Sequence, residues 1–515
     1  MHPENLPVEI IGLPGAMPVW SAEVDARSWR VCAEIAAAGE GHLVALWASD
    51  RRDLDGGFEV RCALAMTAGL LCVRLPLPAD APEFPDIADL FPAAGRMQRA
   101  AHDLVGVVAR DARDARPWLR HGAWPADVHP LRRDFVARNV FTPVPDAYPF
   151  VSVAGDGVHE IPVGPVHAGI IEPGHFRFSV VGERVMRLEQ HLGYTHKGIE
   201  KRFEALDLID GAQLAGRISG DSTVAYAWAY AMALESACAA AIPARAAWLR
   251  ALLLERERVA NHLGDLGFLG NDAGLAFGLA QFSRLKEQWL RTNAAVFRHR
   301  YLMDTIVPGG VAHDIAIDAL AEMRETMAEV EIEVLTLRGI YDEHSGLQDR
   351  FLGAGVVTPV LARRLGLTGL VGRASAVARD LRVDHPCAPW DALSVRLCAA
   401  QDGDVAARVA IRFEELLESL RLQRDILDRM PEGSILAALP EPPAGAFGAG
   451  WVEGWRGEVL VALEAGPEGR IRRCHAHDPS WQNWPLLEHA VIGNIVPDFP
   501  LINKSFNLSY SGVDL

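Results

Sequence analysis

The run from Thr223 to Glu235 (TVAYAWAYAMALE) constrains the fold more than any other stretch. A helix over these residues has no polar face before Glu235, so it must be enclosed on all sides and the rest of the chain built around it. The polar hexad Arg217-Ile218-Ser219-Gly220-Asp221-Ser222 opens it. Polar residues at the mouth of an enclosed helix are where a buried site would be placed. Ser219 and Ser222 are three apart and share a face at such a start.

The remaining pattern predicts further helices over about 196–210, 218–241, 243–269, 274–304, 315–340 and 405–427, with Pro243 and Asn271-Asp272-Ala273-Gly274 as junctions. Short strands are expected over 459–463 and 470–475, and alternation over Phe176–Val180 followed by 184–191 predicts two more. Residues 1–135 form a mixed first unit, with a helix over 24–38 and strands over 42–49 and 58–75, the latter interrupted by Gly69. Residues 136–160, with Pro143, Pro145, Pro149, Gly155 and Gly157, read as a linker, and 161–515 as the second unit. The class is α+β: an α/β N-terminal unit, then a helical bundle with short antiparallel sheets.

Some partners are excluded by bulk properties. The net charge of −17 gives no basic excess to neutralise phosphates, which argues against nucleic acid. Seven dispersed cysteines, none in a C-x-x-C pair, read as reduced buried thiols and cannot hold an iron–sulfur cluster. No uncharged run approaches the roughly 18–20 residues that span a bilayer, and Met1–Trp20 lacks a basic flank, so neither a direct membrane span nor a signal peptide is expected.

Arg217–Ser222 resembles the Arg-Ile-Cys-Gly-x-Cys segment of nickel–iron hydrogenase large subunits, and Asn507-Leu508-Ser509-Tyr510-Ser511-Gly512 occupies the place of their second cysteine pair. The likeness continues through Glu255–Asp265, Asn271–Gly278, Gln281–Arg284, His299–Leu302, Val307–Gly310, Gly372–Ser375 and Arg379–Pro386. It is closer to the formate-hydrogenlyase-type, energy-converting branch, and the same segments resemble the quinone-site subunit of respiratory complex I. The first unit ends in His102–Gly106, Arg116–Leu119 and His129–Phe135, and the last of these resembles the close of the small peripheral-arm subunit of complex I, although alone it reads as a surface turn followed by a charged exit.

This resemblance places Ser219, Ser222, Ser509 and Gly512 at the four nickel-ligand positions. A serine hydroxyl stays protonated near neutrality and is a hard donor, whereas a cysteine thiol is soft and readily ionised, so no metal is expected. The quinone branch uses a histidine in a Gly-Pro-x-His…His-Gly loop and a tyrosine. Here Gly164-Pro165-Val166-His167-Ala168-Gly169 is present, Gly174-His175 reverses the second element, and Gly220 replaces the tyrosine, with Tyr194 and Tyr226 as alternatives. Glu453-Gly454-Trp455-Arg456-Gly457-Glu458 resembles the segment whose arginine hangs over the metal, against the alternative of a turn arginine in a surface ion pair. The catalytic candidates are His167, His175, Arg456 and Asp221. A proton path is expected through His196, Glu200, Glu204 and His385, with Lys197 nearby, against the alternative of ordinary helix-surface ion pairs. His475 and His477 share a strand face beside Cys474, a weak metal-like pair.

The resemblance implies a subunit of a membrane-associated oxidoreductase complex of the NADH–quinone oxidoreductase and hydrogenase superfamily, with quinone binding, NAD binding and electron transport among the chemistry it brings. It is not expected to be a hydrogenase by itself. The chain would bind no cofactor, apart from quinone in the alternative reading. It would meet an iron–sulfur small subunit and complex-I-like membrane subunits, and lie peripherally on the cytoplasmic side of the inner membrane, coupling electron transfer to ion translocation. A reductase for quinone or another small oxidant, and a structural scaffold, are the alternatives. Leu515 stands three residues past Gly512, so the tail that hydrogenase large subunits lose on nickel loading is not expected.

Overall fold

The computed structural model describes residues 6–144, 147–168 and 171–515, leaving Pro145 of the expected linker and Gly169 of the Gly164–Gly169 motif outside the described residues. Helix Thr223–Ala237 is enclosed as its composition requires, buried from Thr223 to Ser236. One wall is an antiparallel sheet of Phe447–Glu453, Glu458–Ala465 and Ile471–His477. The approach is close because Gly448 and Gly450 face the helix. A Cβ there would stand 2.0 Å from Ala233 O and 1.9 Å from Ala229 O. Helices Ala244–Asp272, Ala276–Phe297, Ala319–Glu343 and Val405–Arg429 make the bundle.

The helix expected over 196–210 is instead a single turn, Ile199–Phe203, with a second short helix at Gly211–Ala215. The chain between them pairs elsewhere: Leu208 N–H donates to Gly469 O, and Ile471 N–H to Leu206 O. The strand expected over 58–75 is a hairpin, Gly57–Met66 and Gly69–Leu77. Gly69 turns it at φ +146°, where a Cβ would meet Pro18 O at 2.2 Å.

The N-terminal unit is a five-stranded sheet backed by helices Ala26–Ala38 and Ala94–Val105, with His42–Arg51 at its edge. That edge is not open. Arg473 donates to Ala48 O and Gln482 to Leu43 O and Val44 O, so side chains of the second unit take carbonyls that would otherwise template another strand. The sheet is buried on both faces, its outer face packing on the central helix's core through Val44, Trp47 and Leu70. The His129–Phe135 string does turn at the surface, with Asp134 exposed, but Leu131 within it is buried. Asp103 accepts the Trp118 and Leu119 N–H groups at 2.6 and 2.7 Å, and Arg132 donates to Val105 O, closing the segment onto its helix.

Candidate functional site

The Arg217–Ser222 hexad enters the central helix through an extended Ser219 and one 3-10 turn, Gly220–Ser222. Helix starts leave amides without partners. Here the Glu257 carboxylate accepts from Val224 N–H at 2.7 Å and Ala225 N–H at 3.3 Å, reaching across from helix Ala244–Asp272. Burial, with the nearby Asp221 charge, pushes Glu257 up to about 8 against the pull of those amides.

Asn507–Gly512 comes alongside. Ser219 Oγ donates to Asp221 Oδ1 at 2.7 Å and lies 3.1 Å from Ser509 Oγ, which accepts Gly512 N–H at 2.9 Å. Beneath Gly512 sits the buried Asp478, accepting from Tyr226 Oη at 2.9 Å and Ser480 N–H at 2.8 Å. A Cβ on Gly512 would stand 2.5 Å from Asp478 Oδ2.

Arg456 spans the two segments. Its Nη1 and Nη2 donate to the two Asp221 oxygens at 2.8 and 2.5 Å, Nη1 lies 3.3 Å from Ser222 Oγ, and Nε donates to Asn507 O at 2.6 Å. Its guanidinium stacks 4.0 Å from the Trp455 ring, whose indole N–H donates to Asp221 O. Burial opposes the charge on Asp221, but Arg456 outweighs it and holds the carboxyl below its usual range. A cleft of about 520 Å³ opens on this pair, walled among others by Ile171, Glu172, Phe268, Lys504 and Tyr510.

Arg456, Asp221, Ser219, Ser222, Ser509 and Gly512 are therefore brought together. His167 stands near: its ring lies 6.4 Å from that of Tyr510, and its Nδ1 is 3.1 Å from Pro165 O. His175 Nδ1 faces Gly164 O at 3.4 Å, and burial lowers its pKa. Of the two alternative tyrosines, Tyr226 lies at the floor through Asp478, whereas Tyr194 stacks on His121 of the N-terminal unit.

The four proton-path candidates do not form one chain. Glu200 is locked between Arg473 at 2.9 Å and His475 at 2.7 Å, which hold it down at about 2 despite burial. Glu204 pairs with Lys201 and Arg133. His196 Nδ1 lies 2.7 Å from Asp514 O, and His385 packs on Trp451. His475 is occupied by Glu200, and His477 Nε2 lies 3.0 Å from Gln482 Oε1, so the pair is not arranged about an ion.

Residues 272–447 match the family described as the respiratory-chain NADH dehydrogenase 49 Kd subunit, and residues 22–140 the 30 Kd subunit. Formate hydrogenlyase subunit 5 of Escherichia coli (strain K12) is 31% identical over 482 residues, 92% of this chain and 85% of the relative. The chain belongs to the family of complex I and hydrogenase subunits. Hydrogenase-4 component G of the same organism is 32% identical, over 92% of this chain and 84% of that one. The C/D subunit of the NADH-quinone oxidoreductase of Phocaeicola vulgatus is 28% identical over 75% of this chain and 78% of the relative. A solved structure of the membrane-bound sulfane sulfur reductase, an archaeal respiratory membrane complex, shares the fold. Its TM-score is 0.66 at 24% identity, covering 71% of this chain and all of that one.

The nickel–iron centre that hydrogenases of this kind imply does not fit these residues. The matched positions offer three hydroxyls and a glycine, two of the hydroxyls bond each other, and the Asp478 carboxylate fills the space beneath the fourth position. Several contributors were not singled out from the sequence: Glu257 and Asn261, whose Nδ2 donates to Asp221 O, sit inside the Glu255–Asp265 likeness, and Asp478 and Lys504 lie outside every motif. Asp478 follows the His475–His477 strand directly, and Tyr510 stands inside the Asn507–Gly512 string, so both were within reach of the pattern.

Proposed function

We propose that this chain is a subunit of a membrane-associated respiratory complex that works without a nickel–iron centre, linking electron arrival at an iron–sulfur partner to ion movement in membrane subunits. The observation that carries the reading is the Arg456–Asp221 pair, set among serine hydroxyls where the hydrogenase relatives place thiolates. Such a site sets a buried guanidinium against a half-exposed carboxylate on a solvent-reaching cleft, with no soft donor for a metal. In this reading the chain attaches through its partners on the cytoplasmic side; among the described residues no helix is long and apolar enough to cross a membrane. The 520 Å³ cleft favours a second reading, in which quinone or another small oxidant is reduced there, with Arg456 and Lys504 facing the developing negative charge.

The test is elemental analysis and hydrogen turnover of the complex purified through this chain. No stoichiometric nickel, no hydrogen activity and co-purifying iron–sulfur and membrane subunits are expected. About one nickel per chain would overturn the reading. A quinone retained by the wild type and lost on Arg456→Met would favour the second.

A further inference from the structure

Helices Ala244–Asp272 and Val405–Arg429 run antiparallel with a polar row buried between them. At one end, Asn507 Nδ2 and Lys504 Nζ, both on the cleft, bond Asp265 Oδ1 at 2.7 and 3.3 Å, and Arg412 Nε bonds Oδ2 at 2.9 Å. About one turn on, His262 Nε2 lies 3.1 Å from Glu415 Oε2. Glu415 Oε1 accepts Arg373 Nε at 2.7 Å, and Arg373 Nη1 reaches Glu453 Oε1 at 2.7 Å. All are buried.

Among the described residues, Arg412 Nη2, His262 Nδ1 and Arg373 Nη2 on this row have no hydrogen-bond partner, and Arg256 Nη2 and Gln423 Nε2 extend the set along the same helix pair. Buried polar atoms are rarely left unpaired, and bound water normally supplies the partner. Four of the five, all but Arg373, lie along the one helix pair, where bound water would complete them. Past Glu453 the row meets a cavity of about 10 Å³, room for a single water. Glu453, Arg382 and His385 wall it with Met17, Trp228 and Met232. Those last three also wall a second cavity of about 480 Å³, lined further out by Pro14, Gly15 and Ala239–Ala241.

We propose that this row is a hydrated proton route joining the outer cavity to the cleft, with Glu453 as the residue that takes up the proton. Conduction toward the cleft rests on the coupling reading above; hydration does not. A hydronium proton from the cavity adds to the Glu453 carboxylate, leaving water, and passes on by water along the row. Glu415 and Asp265, which Arg373, Arg412 and Lys504 hold well below the usual carboxylate range despite burial, stay ionised and accept hydrogen bonds from that water. His262 takes the proton at Nδ1 and releases it from there toward the cleft, keeping Nε2 on Glu415. Only O–H and N–H bonds form and break, and no electron is taken. The arginines orient the acceptors and carry no proton.

Glu453 is faced by Arg373, which donates to it, by Arg258, which bonds its backbone carbonyl, and by Asp380, Glu458 and Arg382. Burial and the Asp380 charge bring it to about 7 despite Arg373. His262 is faced by Glu415, Arg412 and Arg258, and burial lowers it.

The experiment is infrared spectroscopy of the purified complex, following the Glu453 carboxyl as the band lost in Glu453→Gln, or shifted in Glu453→Asp should the first variant fail to assemble. The band is expected to titrate near neutrality and to exchange into D2O within the mixing time. Ala240→Trp, which narrows the outer cavity, should slow exchange by about tenfold or more. A carboxyl that does not titrate between about pH 5 and 9, or exchange as slow as that of core amides, would overturn the route. Fast exchange with ion transport unchanged in both variants would overturn its role as a conductor. A complex that moves no ions, yet shows fast exchange blocked by Ala240→Trp, would support the route and sink the coupling reading.

Discussion

Gly512→Ala tests the packing beneath the serine cluster. The added Cβ would lie 2.5 Å from Asp478 Oδ2, 2.8 Å from its Cγ and 2.9 Å from Ser509 Oγ, all closer than real Cβ contacts. Gly512 lies in the short helix Ser511–Asp514 without positive φ, so the penalty comes from space and not from backbone conformation. Asp478 cannot swing away freely, because it is 1% exposed and held by Tyr226 Oη and Ser480 N–H. Overpacking costs roughly 1–3 kcal/mol, and loosening a hydrogen bond to a buried charged group roughly 1.5–3. Together these give about 3 kcal/mol. Denaturant unfolding of the assembled protein should show that loss, with most of it absent when Asp478→Ser makes room in the double variant. A Gly512→Ala protein within about 0.5 kcal/mol of wild type, the range of ordinary surface changes, would refute the packing argument.

Arg456→Met should cost about 2 kcal/mol, below the figure for a fully buried pair, because the Asp221 side chain is 39% exposed on the cleft. Arg291→Met, at an outlying surface pair, should cost almost nothing, and equal losses in a melting comparison would count against the site. Because Arg456 holds Asp221 below its unfolded value, the pair's contribution is present above that value and fades as pH falls through the folded one. Glu257 has the opposite sign. Its folded value near 8 lies above the unfolded one, so wild-type stability should fall as pH rises from about 4.5 toward 8, and Glu257→Gln should flatten that limb. An unchanged slope in chemical unfolding at several pH values would show that Glu257 is charged throughout.

The enclosed helix and the long bundle helices were legible because their patterns are local: an uninterrupted apolar run, and apolar stripes ended by Pro243 or Asn271–Gly274. The strand Phe447–Glu453 was not, because Gly448 and Gly450 lower strand propensity there. They stand in it to let the sheet approach the helix backbone, a requirement visible only in three dimensions. The short elements between 196 and 216 escaped for a related reason. Their backbone is fixed by partners at 469–471, far along the chain. The site was legible where residues recur in motifs, as with Ser219, Asp221, Arg456 and Ser509. Glu257 was hidden because a glutamate in a helix reads as a solvated face unless its contact with Val224 and Ala225 is seen.

The same geometry bears on whether cysteine substitutions alone could build a metal site here. Cysteine at Ser219, Ser222 or Ser509 would restore sulfur but not thiolate, since a thiol ionises only where positive charge is available to it. Arg456 is the obvious source, yet its guanidinium is already committed to both oxygens of Asp221 and to Asn507 O. Burial alone pushes the chain's enclosed thiols up, Cys32 to about 11 and Cys72 to about 12, so a thiol here would depend on that charge to ionise. Removing Asp221 would free Arg456 but strand a buried cation until a metal and its thiolates arrived together. The fourth position also stays closed to any side chain while Asp478 fills the space under Gly512. Sulfur, charge and space would each have to change at once, so the Arg456–Asp221 arrangement is a stable alternative to the metal site and not one substitution away from it.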